Sequence, residues 1–232
     1  MANSIERALE SALVDCFHIG QILVRKTNND GFVLCHRDDH AREDLQTFWN
    51  TEDAVDIAKY DDAGNYRPLK TAPNLQHSWR MELGTWEELK CALDYFYPGR
   101  LAAFVAWKSG QLRTTSLRET LNRQSGMYRV AAKISDTQID DLVADFCRSS
   151  GGCLRTILWK RDPYGTVAST KLPKEKFDPA YDQGEASSQP GSSAFAEAPA
   201  DKSNLATATI PLLCQEPCNL LVAECRKVVK GE

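Results

Sequence analysis

The chain has 232 residues, with 42% hydrophobic and 26% charged residues and a formal net charge of -4. That length suits one or two domains with a sizeable core, and the composition excludes a wholly disordered, fibrous or membrane-spanning protein. The slight acidic excess gives no electrostatic pull towards phosphate backbones or anionic lipid, so neither nucleic acid nor membrane is expected as a partner.

The N-terminal stretch places Ile5, Leu9, Ala12 and Leu13 at helical spacing after Asn3, predicting a short amphipathic helix. It carries acidic residues early and no basic segment ahead of an apolar block, so it does not read as a secretory signal. The longest apolar run, Leu101 to Trp107, falls far short of the ~20 residues that span a bilayer. A cytoplasmic location is therefore expected. GQILVRK and GFVLCHR, joined by TNND, predict a hairpin with Gly31 where positive φ is needed. TEDAVDIAK over 51–59 predicts a helix, and the polar stretch from Tyr60 to Trp79 a long loop.

Thr85 and Glu88 make a capping box for a helix that buries Leu89, Ala92, Leu93 and Phe96 and ends at Pro98-Gly99. Leu101 to Trp107 and its continuation past Gly110 read as a second hairpin, and Ser116 to Arg123 as helical. Ser135 and Gln138 form another capping box, with Ile139, Leu142, Val143 and Phe146 on one face of a helix ending at Cys147. Residues 183–206 are dominated by Gly, Ala, Ser and Pro and predict a disordered linker. The apolar segment that follows it must dock back onto the body. In it Pro217 is expected as the first residue of a helix running through Val229, with Cys218 in its first turn. Helices mixed with hairpins, without βαβ alternation, give an α+β fold. The expected division is an α+β body over 1–130 and a cluster-binding region over 131–232, interrupted by the linker.

Eight cysteines in a reducing compartment are weighed as thiols rather than disulfides. Cys147 and Cys153 form C-x5-C, and Cys214 and Cys218 form C-x3-C. Two loop-borne pairs make a metal or cluster cage, and Gly151 and Gly152 allow close backbone approach. The spacing is neither a zinc ribbon nor a ferredoxin run, so cluster, zinc and no metal all stay open. Cys225 shares a helix face with Cys218 but lies ~10 Å further along the axis, which favours core packing. Cys16, Cys35 and Cys91 are read as small hydrophobes.

The stretches YDDAGNYRPLKTAPNLQHSWRMEL, LRETLNRQSGMYRV, FCRSSGGCLRTILW and PLLCQEPCNLLVAECRKVV resemble the [4Fe-4S] cluster-binding proteins, with their stabilising domain, that are associated with CbiX-type sirohydrochlorin cobaltochelatases. The resemblance runs from about residue 20 to 230, skipping the linker. It implies one [4Fe-4S] cluster on Cys147, Cys153, Cys214 and Cys218, and a place near metal insertion into sirohydrochlorin or cobalamin precursors. A sirohydrochlorin chelatase or a redox protein is the implied partner. The stretch shows no complete chelatase site, since His18, His36, His40 and His77 are scattered, so catalysis by this chain alone is not expected.

Other candidates are weaker. HRDDH over 36–40 could hold a divalent ion but reads better as a solvated turn. Arg67, Lys70 and Arg80 could bind the carboxylates of a tetrapyrrole or of a partner, and Arg118, Arg123 and Arg129 could flank the cluster. A zinc-stapled scaffold and a metal or tetrapyrrole enzyme are the alternative functions.

Overall fold

The computed structural model describes Arg7 and residues 16–149, 152–165 and 208–232. The expected N-terminal helix and the linker over 183–206 lie outside the described residues, apart from Arg7, which is helical. The fold is α+β, built around two hydrophobic cores that meet at the cysteine pairs.

The first core rests on a six-stranded sheet. Its strands are β1 (Cys16–Ile19), β2 (Ile22–Lys26), β3 (Phe32–His36), β4 (Gln46–Phe48), β5 (Trp79–Leu83) and β7 (Ala208–Ile210), in spatial order β4-β5-β3-β2-β1-β7. The predicted hairpin is present, with β2 and β3 antiparallel and Val24 opposite Leu34. The left-handed residue of its turn is Asp30, at φ 60°, and not Gly31. Asp tolerates that conformation because its short polar side chain bonds locally.

Alternation along β2 sends Ile22 and Val24 to one face, under helices α1 (Asp53–Lys59), α2 (Trp86–Phe96) and α3 (Arg100–Lys108). Leu23 faces the other way and packs with Cys16 and Cys35. These two cysteines are thus the packing residues expected. Cys91 is not: it lies exposed on α2, on the side away from Leu89, Ala92, Leu93 and Phe96. The Thr85–Glu88 capping box is formed as predicted.

Residues 101–107 are helical, not a hairpin. Leu101 and Phe104 enter the core and Trp107 packs against it, a spacing of three that fits helix better than strand. Three alanines in the run favour helix further.

The second core is helical: α4 (Leu117–Ser125), α5 (Val130–Lys133), α6 (Asp136–Leu142) and the terminal α7 (Asn219–Lys230) enclose Leu121, Val130, Ile139, Val143, Leu221, Val222 and Cys225. Leu117 and Leu121, grouped with the body in the sequence reading, belong to this core. Cys225 is fully buried among these residues, as expected for packing. The Ser135–Gln138 capping box starts α6, and one π-helical turn, Val143–Cys147, ends it at the first cysteine. No helix among the described residues is long and apolar enough to cross a membrane.

Candidate metal centre

A two-stranded parallel sheet joins the cysteine pairs. β6 (Thr156–Ile157) follows Cys153, β8 (Leu213–Cys214) carries Cys214, and Ile157 lies opposite Cys214. Thr156 N–H donates to Leu212 O at 2.8 Å and Leu158 N–H to Cys214 O at 3.0 Å, fixing this register. Upstream, β7 runs parallel to β1, with Ile210 and Leu212 in the first core, so the returning segment is tied to the sheet before it reaches the cysteines.

Cys147, Cys153, Cys214 and Cys218 all line one cavity. Phe146, Ile157, Trp159 and Leu221 supply apolar wall, and Arg148 and Arg155 supply charge. α7 starts at Asn219, two residues after the predicted Pro217, so Cys218 is its N-cap rather than a member of its first turn. The first N–H groups and the dipole of a helix favour negative charge, such as that of a bound cluster, at this end.

Gly152 lets the C-x5-C loop close. A Cβ at this residue would stand 2.9 Å from the carbonyl carbon and oxygen of Cys147, where Cys153 N–H donates to Cys147 O at 2.9 Å. Gly151, its expected companion, is outside the described residues. Gly152→Ala is expected to cost roughly 1–3 kcal/mol, as overpacking against rigid backbone does, and to lower the iron retained per chain. Chemical denaturation together with iron analysis checks both.

The environment is built for sulfur. Trp159 Nε1–H donates to Cys214 Sγ at 3.3 Å, while Arg155 Nε–H and backbone N–H donate to Cys153 Sγ at 3.1 and 3.4 Å. The hydroxyl of Thr71, from the long loop, sits 3.0 Å from Cys153 Sγ, and Leu154 N–H donates to Thr71 O. Burial, joined by the nearby Cys153, Cys218 and Cys214, pushes the Cys147 thiol up to about 12. Burial also raises Cys214. Metal coordination deprotonates a ligating thiol outright and so offsets the burial that raises Cys147 and Cys214.

Arginines bring positive charge to the site. Burial works against the charge of Arg155, but the thiols of Cys214 and Cys153 outweigh it and raise its pKa. Arg100 donates to Leu213 O at 2.6 Å and Arg148 to Arg155 O at 2.6 Å, placing two more cations beside the cavity.

Four cysteine thiols around one cavity, with N–H donors aimed at two of the sulfurs, are a donor set that suits a [4Fe-4S] cluster. Amide and guanidinium donors to the sulfurs are the features that tune cluster potentials.

Residues 109–227 match the family model of the 4Fe-4S iron-sulfur cluster binding domain, just over half of the chain. The chain belongs to this 4Fe-4S cluster binding family. Residues 7–109 match the DR2241 stabilising domain. The fold is similar to the crystal structure of DR2241 from Deinococcus radiodurans, at 26% identity and a TM-score of 0.69, over 98% of this chain and 41% of that one. That protein is described as multi-domain, with structural similarity to chelatases and two additional novel domains. This chain therefore spans about two fifths of its length. No curated protein sequence matches.

The other sequence candidates are placed elsewhere. Arg67 is buried and donates to Ala58 O, Lys70 O, Ala72 O and Asn74 Oδ1, so its guanidinium holds its own loop together. Lys70 donates to Ala58 O and lies over the Tyr66 ring, and Arg80 pairs with Glu82. These three are not gathered into one anion site. Arg118 donates to Ala131 O and pairs with Asp136, and Arg123 pairs with Glu216, so the cations flanking the cavity are Arg100, Arg148 and Arg155 instead. Arg148 and Arg155 adjoin the cysteines in sequence. Thr71, Trp159 and Arg100 carry no local signal that would mark them.

Proposed function

We propose that the chain binds one [4Fe-4S] cluster through Cys147, Cys153, Cys214 and Cys218, and serves as an accessory module in tetrapyrrole metallation. The observation that carries this reading is the convergence of four thiols, from both sides of residues 166–207, on one cavity. When bound, the cluster supplies one-electron redox chemistry. The chain's own residues hold and tune it: Trp159 and Arg155 donate to sulfur, Arg100 and Arg148 add positive charge, and the apolar wall limits water. Such donors favour the more negative, reduced state, which supports an electron-transfer or sensing role over a purely structural one. Ligation by Cys214 and Cys218 also ties α7 to the body, so cluster assembly stabilises the docking of the terminal helix by linkage.

The link to tetrapyrroles rests on the likeness to DR2241, whose chelatase-like part would correspond to a partner, a CbiX-type sirohydrochlorin chelatase. Anaerobically prepared protein should be brown, with about four irons and four sulfides per chain, and should change the rate at which such a chelatase metallates sirohydrochlorin. A colourless protein with one zinc and no effect on the chelatase would reject the proposal. Arg155→Met is expected to shift the reduction potential downward and Arg155→Lys to shift it less, measured by spectroelectrochemical titration.

A further inference from the structure

A second cluster of metal-binding side chains lies at the other core. His36, the last residue of β3, is fully buried, and His77 stands two residues before β5, its neighbour in the sheet. The rings meet at a centroid distance of 3.9 Å, and one ligand atom each from His36, Asp38 and His77 lie within 4.8 Å of one another. Thus HRDDH is not wholly a solvated turn: His36 and Asp39 are buried, while His40 bonds only to Arg37 O among the contacts described.

The nitrogens are oriented. His77 Nδ1 is held by Asp62 Oδ2 at 2.7 Å and His77 N–H donates to Asp62 Oδ1 at 2.6 Å, which leaves Nε2 as the free donor atom. Asp38 N–H approaches His36 Nδ1 at 3.3 Å and Asp38 Oδ2 lies 3.7 Å away, so this nitrogen presents its lone pair beside the carboxylate. Gln21 Nε2 lies 3.0 Å from His36 Nε2 while Gln21 Oε1 accepts Leu75 N–H, so both ring nitrogens of His36 face N–H donors. A carboxylate or amide behind each ligating imidazole is the usual support of a histidine metal site.

The backbone gives an independent sign. Ser78, directly after His77, adopts φ 64°, a left-handed conformation costly for a residue with a side chain. The buried Asp39 carboxylate pins it by accepting Ser78 N–H at 2.7 Å.

We propose that His36, Asp38 and His77 form a two-histidine, one-carboxylate site for a first-row divalent cation, with Asp62 and Gln21 orienting the imidazoles. Imidazole with carboxylate suits zinc or ferrous ion, with open positions filled by water. The site is separate from the four thiols and goes beyond the cluster reading.

Zinc titration of cluster-loaded, anaerobic protein followed by calorimetry tests it, because the thiols are then occupied. One equivalent is expected to bind to wild type. His77→Ala and Asp38→Asn should abolish it with iron and sulfide unchanged, and Asp62→Asn should weaken it ~10–100-fold. Both ligand variants change partly exposed side chains, so folding is not at stake. Cys91→Ser should bind zinc as wild type does. Zinc binding equal in wild type and His77→Ala, or none in wild type, would overturn the proposal.

Discussion

Cys147→Ser and Cys214→Ser are each expected to lose most of the iron and sulfide, whereas Cys91→Ser and Cys225→Ala retain them. Cys147 and Cys214 lie on opposite sides of residues 166–207 yet line the same cavity, Cys214 in register with β6 through Ile157. A serine hydroxyl is a far poorer ligand for iron than a thiolate, so either change removes one corner of the cage. Cys91 is exposed on α2, and Cys225 is buried among Leu221, Val222 and Ile139. Losing the cluster should also expose residues 208–232 to protease, because ligation by Cys214 and Cys218 adds binding free energy to the docked state of α7. Iron analysis and limited proteolysis of the variants read both effects. Equal iron in Cys147→Ser and Cys91→Ser would reject the assignment, and iron lost only from Cys225→Ala would move the ligand to that residue.

Gly20→Ala is expected to destabilise the protein by about 2 to 5 kcal/mol, combining left-handed strain with crowding. Gly20 links β1 to β2 at φ 58°, and a Cβ there would stand 2.6 Å from Cζ and Oη of the buried Tyr97 and 2.9 Å from Cδ1 of Leu212. The Tyr97 hydroxyl accepts Gln21 N–H at 2.9 Å, and Leu212 leads directly into β8 and Cys214. Displacing them disturbs both the sheet and the approach to the cysteines. Gly64 gives the comparison: at φ 77° it has no atom within 4 Å of an added Cβ. Gly64→Ala should cost only about 1 kcal/mol, from strain alone. Urea unfolding of the two variants separates the contributions, and equal midpoints would show that crowding at Gly20 is absent.

The elements with local signals were legible. Capping boxes at Thr85 and Ser135 mark helix starts because the reciprocal bonds are made by residues three apart, and the β2–β3 hairpin declares itself by its alternation and turn. The Leu101–Trp107 run misled because a continuous apolar stretch has no visible period until its buried members, Leu101 and Phe104, are known. What sequence could not give was pairing at a distance. The parallel pairs β1–β7 and β6–β8 join segments from opposite ends of the chain, and nothing local in residues 208–214 names their partners. The cysteines themselves were legible as two pairs. The side chains that tune them, Trp159 and Thr71, and the approach of His77 to His36 follow from the packing of the sheet and the long loop.

A crystal structure of the anaerobic, cluster-loaded protein, with anomalous scattering collected at the iron edge, tests the central claim most directly. The account predicts four irons between Cys147, Cys153, Cys214 and Cys218, with Trp159 and Arg155 donating to the ligating sulfurs. Iron bound by other residues, or a single ion among these four thiols, would contradict it.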